Sequence, residues 1–504
     1  MVQQRSLPKH VQAFFSNQTY PHPVSPIEMI ETHISWVFLT GEYAYKLKKP
    51  VRFDFLDFST LKKRKYYCEQ ELHLNQRLSQ AIYLDVLPVY EQKNGSYSLV
   101  GEAGNVVDYC LKMKQFNQDS LFDELIAKGK LLPDWMDSLA KDVANFHQLA
   151  EINEDIELNH IGLLTEHIQA NFAIATAHAG KVITQKKVTT LLNFAKKELH
   201  ENFNNLKQRQ EKGHIRDCHG DLHLRNITLF HHKPLVFDCI EFNDEFRMID
   251  TMNDVAFLVM DCEAHTRPDL GFRFLSRYLE HCADYEGLKL LPLYLFYRAS
   301  VRGKVGCLLA DEQSEPKRQQ QLDEAAKYFE LTAHYALKKK PKLIVIGGLS
   351  GSGKSHLSLL ACGQERAVII RSDATRKRIH AVHADLSLYG EEMHEYTYQA
   401  MLETAKVSLN AGFSAILDAT FLSTKSRQQV AKFAHQQGID LLFFWLDICE
   451  KMLRERIHQR MKLNDDISDA DLEILELQLA GYEKPKEPWI QFLYSSHAWK
   501  PDKP

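Results

Sequence analysis

Residues 348–355 read Gly-Leu-Ser-Gly-Ser-Gly-Lys-Ser: a glycine, four residues, then Gly-Lys-Ser. Such a stretch can cradle phosphate. Gly348, Gly351 and Gly353 let the backbone curl, and with Ser352 they turn N–H groups inward where no Cβ blocks the ligand. Lys354 then reaches the β- and γ-phosphates, Ser355 holds Mg²⁺, and a helix starting there adds its positive end. A second stretch, His219-Gly-Asp-Leu-His-Leu-Arg-Asn226, sets Asp221 and Asn226 five apart, and Asp238 follows after two short apolar runs. Phosphoryl transfer needs this set: a carboxylate to orient and deprotonate a hydroxyl, and oxygen ligands for Mg²⁺. A third set is Lys46 or Lys48 with Glu71 or Glu69, Lys46 and Glu71 being the preferred pair. Here a lysine grips α- and β-phosphates and a glutamate holds that lysine in place.

These residues need elements to hold them. Residues 342–347 form an apolar run that reads as a buried strand, and 356–361 continue as a helix, so the glycine-rich stretch is a strand-to-helix loop. Residues 366–373, 413–418 and 441–447 read as further strands ending in Asp373, Asp418 and Asp447, with Asp418 where a magnesium-binding acid belongs. Strands alternating with helices, with acids at the strands' C-terminal ends, make a doubly wound sheet with ligands along that edge. Arg456 and Arg460 lie four apart on a helix before an acid-rich stretch, 464–469, that reads as a lid. There they would neutralise charge on a transferred phosphoryl group. Earlier in the chain, residues 32–39 and 43–48 read as a hairpin turning at 40–42, and a helix after Ser59 or Thr60 carries Glu69 and Glu71. Strand, lysine, helix, glutamate is the order of a kinase small lobe. Strand 227–230, turn 231–234 and strand 235–238 return Asp238 to Asn226. Residues 106–116 read as a strand, and 138–147, 165–212 and 319–337 as helical. Arg298 and Arg302 share a helix face, for anion binding or for pairing with the acids Glu241, Asp244, Glu245, Asp250 and Asp254.

The His-Gly-Asp stretch, with Asn226 and the later Asp238, resembles the aminoglycoside phosphotransferase family, which shares its fold with protein kinases. The resemblance covers residues 30–310, without a GxGxxG loop; only Gly41 stands in the first turn. It implies Asp221 as catalytic base, Asn226 and Asp238 as metal ligands, and His219 as a brace of the loop. The last third resembles small-molecule phosphate-loop kinases of the zeta-toxin, gluconate-kinase and polynucleotide-kinase kind. That resemblance implies that Asp373 activates a hydroxyl and that Arg376, three residues on, binds an acceptor phosphate. Arg427, after Phe-Leu-Ser-Thr-Lys-Ser, is a further candidate contact. A phosphotransferase-like domain fused to such a kinase is an arrangement associated with a bacterial family whose acceptor is unassigned. The expected fold class is α/β and α+β. A bilobal protein-kinase-like domain would span 1–337, a linker 338–341, and a doubly wound parallel-sheet P-loop domain 342–504.

Composition is ordinary for a soluble globular protein. The chain has 504 residues, 44% hydrophobic and 25% charged, and a net charge of −4 that argues against a general nucleic-acid coat. The N-terminus has no apolar signal region and no run approaches a membrane span, so a cytoplasmic protein is expected. Nine cysteines without a C-x-x-C pair favour reduced, buried thiols over zinc or disulfides. The expectation is an ATP- and Mg²⁺-dependent phosphotransferase with two sites and small-molecule hydroxyl acceptors. Within enzymes the alternative is a 5′-hydroxyl polynucleotide kinase in the last third, with the basic runs 46–52 and 62–65 holding nucleic acid. A different class is a nucleotide-sensing regulator with one non-catalytic site.

Overall fold

The computed structural model describes residues 7–24, 26–53, 56–101, 104–153, 159–463 and 472–495 of the chain. Its contacts divide it into two compact units. One holds Met1–Leu131, Leu149–Glu154 and Ile215–Asp250; the other holds Leu132–Gln148, Asp155–His214 and Thr251–Pro504. Residues 338–341 lie in no helix or strand and fall inside the second unit rather than at its border.

In the first unit six strands form one antiparallel sheet in the order Glu28–Glu31, Ser35–Leu39, Tyr43–Lys48, Asn105–Lys114, Tyr83–Glu91, Tyr97–Ser98. Alternation assigns its two faces. Trp36, Phe38, Tyr45, Leu47, Val89 and Cys110 cluster on one side with Val11, Phe14 and Tyr20 from the N-terminal segment. On the other, Leu39, Ala44, Leu111 and Met113 pack with Leu72 of the helix Leu61–Ser79 and with Phe230, Leu235 and Phe237. That helix starts where the sequence says it should, since the Thr60 side chain accepts the Lys63 N–H. The hairpin of Ile227–Phe230 and Lys233–Val236 is antiparallel, as expected. The strands Glu28–Glu31 and Tyr83–Glu91 carry little sequence signal: the first is mostly exposed, and the second contains Pro88 and two register shifts.

The second unit joins helices to a parallel sheet of five strands. Its order is Ala367–Arg371, Ser414–Asp418, Lys342–Gly348, Asp440–Leu446, Ile490–Leu493. All neighbours run parallel, and the inner strands are near-continuous apolar runs, as burial on both faces requires. In this sheet the strand boundaries shift by one or two residues from expectation. The strand expected over 366–373 ends at Arg371, and Asp373 stands in the first turn of the helix Ser372–Val382. Pairing explains the stop: Arg371 is the last residue in register, opposite Asp418. The helices Thr251–Ala264, Pro268–Cys282, Leu291–Glu312 and Lys317–Tyr335 pack on one another, and Pro268–Cys282 also packs on the strand Ala367–Arg371. Among the described residues no helix is long and apolar enough to cross a membrane.

Candidate active sites

Lys46 and Lys48 are two apart on one strand, so their side chains leave the same face. Both reach one carboxylate: Lys46 Nζ donates to Glu71 Oε1 at 2.7 Å and Lys48 Nζ to Glu71 Oε2 at 2.6 Å. Glu69 lies about 200° around the helix from Glu71; its carboxylate is exposed, 3.6 Å from Lys65. Lys46 Nζ also donates to Asp238 Oδ1 at 2.6 Å, and Lys48 Nζ donates to Glu241. Burial opposes charge on Glu71, but the two ammonium groups prevail and hold its pKa below the usual range. Glu241, expected among acids open to substrate or arginine, is instead 6% exposed and bound to Lys48. Burial raises its pKa against the pull of Lys48.

The catalytic-loop residues gather in the same unit. Asn226 Nδ2 donates to Asp221 Oδ2 at 2.8 Å and to the Asp221 carbonyl at 3.0 Å. His223 Nε2 lies 3.2 Å from Asp221 Oδ2. His219 Nδ1 accepts the Asp221 N–H at 3.3 Å, which leaves Nε2–H to donate to the Phe237 carbonyl at 3.0 Å. The ring therefore ties the loop to the segment leading into Asp238. Phe237 N–H donates to the Asn226 carbonyl at 2.9 Å, and the hairpin register brings Asp238 back beside Asn226. Asp238 itself has φ of 63°, a left-handed value that a non-glycine residue adopts at a cost of about 1–3 kcal/mol. Its N–H donates to the Tyr83 hydroxyl at 3.0 Å and its carboxylate accepts from Lys46, so the conformation is held from both ends.

In the second unit the glycine-rich loop follows the central strand. Gly353, at φ of 95°, turns it into the helix Lys354–Gln364, which starts at the loop as the sequence pattern expects. Gly348, Gly351 and Ser352 complete the loop. Lys354 Nζ donates to the Leu349 carbonyl at 3.1 Å, and Arg456 Nη1 to the Ser352 carbonyl at 2.9 Å. Gln478, which no motif marks, accepts the Ser350 N–H at 2.9 Å. A cavity of about 420 Å³ opens over the loop, lined by Lys354, Ser355, Asp373, Arg376, Asp418 and Arg456, with Arg371, Tyr389 and His394 on its walls. Asp418 is 4% exposed, and its Oδ2 is buried without a hydrogen-bond partner. Burial raises its pKa, opposed by Arg371, Lys354 and a hydrogen bond with Ser355. An orphaned carboxylate oxygen beside a serine hydroxyl fits a hard divalent cation. Arg376 Nη1 donates to Asp373 Oδ1 at 3.0 Å and its guanidinium lies 5.5 Å from the Tyr389 ring. Burial first, then Arg376, lower the His394 pKa.

Arg427 does not sit where a substrate contact is expected. Arg427 is 1% exposed and committed to the interior: Nε donates to Glu487 at 2.7 Å, Nη1 to the Phe421 carbonyl at 3.0 Å, and the guanidinium sits 6.0 Å from the Trp445 ring. It braces the sheet and does not line the cavity. Arg298 donates to Asn253 Oδ1 at 2.8 Å over the Phe257 ring, and Arg302 lies 3.9 Å from Glu324. Both serve the helical packing. The Arg460 side chain and the expected lid, 464–469, lie outside the described residues.

A lysine-bearing strand, a glutamate on the following helix and a loop-hairpin carrying Asp221, Asn226 and Asp238 give the first unit the site arrangement that protein kinases use. The second carries a P-loop kinase fold, with the loop after the central strand of a parallel sheet. A family model described as "AAA domain" matches residues 343–485. An uncharacterised protein of Mycobacterium tuberculosis is 29% identical over 465 residues, 90% of this chain and 90% of its own. Among solved structures, an amicoumacin kinase in complex with AMP-PNP and Ca²⁺ is 14% identical with a TM-score of 0.40, covering 65% of this chain and 96% of its own. The Mycobacterium tuberculosis APS kinase in complex with AMPPNP and APS is 19% identical with a TM-score of 0.24, covering 31% of this chain and 88% of its own.

Proposed function

We propose that the chain is an ATP- and Mg²⁺-dependent phosphotransferase with two sites, each passing a γ-phosphoryl group to a hydroxyl of a small molecule. One observation carries this reading: two unrelated frameworks each assemble a lysine for phosphates, oxygen ligands for one divalent ion and a carboxylate for a hydroxyl proton. In the first unit Lys46, held by Glu71, takes the α- and β-phosphates. Asn226 and Asp238 would hold the ion, and Asp221 receives the acceptor proton. In the second, the loop N–H groups and Lys354 take the β- and γ-phosphates while Ser355 and Asp418 would hold the ion. Asp373 receives the acceptor proton, and Arg376 pairs with it at 3.0 Å. Arg376 also meets an anionic group on the acceptor, and Arg456, with Arg460, offsets charge on the moving phosphoryl group. The oxygen-only ligand sets suit Mg²⁺, which when bound neutralises the β- and γ-phosphate oxygens.

Small acceptors are favoured over nucleic acid because the inner part of the basic runs is committed within the fold, while Arg52, Lys62 and Lys65 stay exposed. Lys46 and Lys48 are buried in ion pairs, Lys49 pairs with Glu31 at 2.6 Å, Lys63 with Asp57, and Arg64 with Asp108 at 2.7 Å. The test is ³²P transfer from ATP into metabolite pools and short oligonucleotides, with Asp221→Asn and Lys354→Ala as controls. Each variant is expected to lose one labelled product and keep the other. Unchanged ATP consumption in both variants would refute the reading in favour of a nucleotide sensor.

A further inference from the structure

Arg371 ends the sheet's edge strand, in register with Asp418, and is 5% exposed on the wall of the P-loop cavity. A carboxylate from far upstream faces it. Arg371 Nη1 lies 3.8 Å from Glu280 Oε2, on the helix Pro268–Cys282 and outside the segment that the family model matches. Glu280 is pinned in turn, because Arg277 Nη1 donates to Oε2 at 2.8 Å and Arg277 Nε lies 3.4 Å from Asp137. One turn earlier on the same helix, Ser276 Oγ accepts the Ile369 N–H at 3.0 Å. The helix therefore holds the edge strand by its backbone at Ile369 and by its charge at Arg371.

A guanidinium beside a buried carboxylate ordinarily closes on it through two hydrogen bonds. At Asp418 that would consume Oδ2, yet Oδ2 has no hydrogen-bond partner. We propose that Glu280 is a positioning residue of the P-loop site: it draws the Arg371 guanidinium away from Asp418 Oδ2 and so keeps that oxygen open to the divalent ion. The inference rests on Asp418 being a ligand of that ion. Glu280 does not line the cavity, so its route to the ion runs through Arg371.

The experiment is Mn²⁺ binding by electron paramagnetic resonance in the presence of ADP. It uses the full-length chain carrying Asp238→Ala, so that only the second site reports. In that background Asp418→Asn should abolish binding; if it does not, the underlying assignment of the ligand fails. Glu280→Gln should weaken Mn²⁺ about tenfold, the lower range for a residue that orients a metal ligand. Arg371→Met should bind as tightly as the parent, and adding Glu280→Gln to it should cause no further loss. The proposal is overturned if Glu280→Gln leaves the affinity unchanged while Asp418→Asn abolishes it. It is also overturned if Glu280→Gln weakens binding equally with and without Arg371. Should Glu280→Gln fold poorly, the Arg371→Met variant still decides: a tenfold loss there means that Arg371 supports the ion rather than competing with it.

Discussion

Replacing Lys48 by methionine probes the buried charge network of the first unit. Lys48 is 1% exposed, and its ammonium group joins Glu71 Oε2 at 2.6 Å to Glu241. Methionine fills a similar volume, so the loss is electrostatic rather than one of packing. Glu71 keeps Lys46 at 2.7 Å, but Glu241, 6% exposed, loses its bridging cation. Breaking a buried pair by removing one member costs about 3–5 kcal/mol, or between two and three and a half powers of ten in the local opening constant. The double variant Lys48→Met/Glu241→Met removes the stranded charge as well and should recover most of that loss. A chain of this size does not unfold in one step, so the measurement is hydrogen exchange by mass spectrometry. Peptides covering Tyr43–Lys48 and Leu61–Ser79 report the effect, and those covering Lys342–Gly348 serve as internal reference. Unchanged protection in Lys48→Met, or a double variant no better protected than the single, would refute the reasoning.

Three further outcomes are expected. Glu71 is held below its ordinary 4.5, so on acidification the unfolded chain takes up a proton before the folded one. Its stabilisation is complete above pH 4.5 and disappears as pH falls through the folded value, whereas raised Glu241 favours the fold on acidification. Acid unfolding of the first unit should therefore begin at higher pH in Glu241→Gln, as followed by hydrogen exchange corrected for intrinsic rate. Arg427→Ala strands Glu487 and should lower stability by about 3–5 kcal/mol while leaving the KM for ATP and acceptor unchanged; a raised KM with normal stability would restore it as a substrate contact. Gly363→Ala should lower the melting temperature of the second unit, since an added Cβ would lie 2.3 Å from Asp269 Cα and such overpacking costs about 1–3 kcal/mol.

Local chemistry was legible in the sequence and long-range pairing was not. The phosphate loop could be read because its glycines, Lys354 and Ser355 are contiguous, and Asp221 with Asn226 because five residues fix their relation. Strand periodicity narrowed the small-lobe lysine to two positions but could not separate Lys46 from Lys48, since both lie on one face and both touch Glu71. What separates them is the third partner, Asp238 for one and Glu241 for the other, each more than 190 positions away. Arg427 was misassigned for a related reason: its spacing from a loop does not reveal that it points into the sheet toward Glu487 and Trp445. Arg371 read only as part of a strand, because its significance depends on Asp418 beside it and on a helix almost a hundred residues earlier. The short strands Glu28–Glu31 and Ile490–Leu493 are set by neighbours rather than by their own composition.

The flank of the parallel sheet decides where the chain can be cut. Phe272 meets Phe413 with ring centroids 5.9 Å apart, and Arg366 lies within 6.0 Å of the rings of Phe272, Tyr335 and Phe413. Transplanting residues 342–495 into another host would bare this seam and leave the strand Ala367–Arg371 as a raw template for stray chains. The nucleotide-loop portion is thus no portable cassette. Its edge strand leans on a helix that lies before it in the chain.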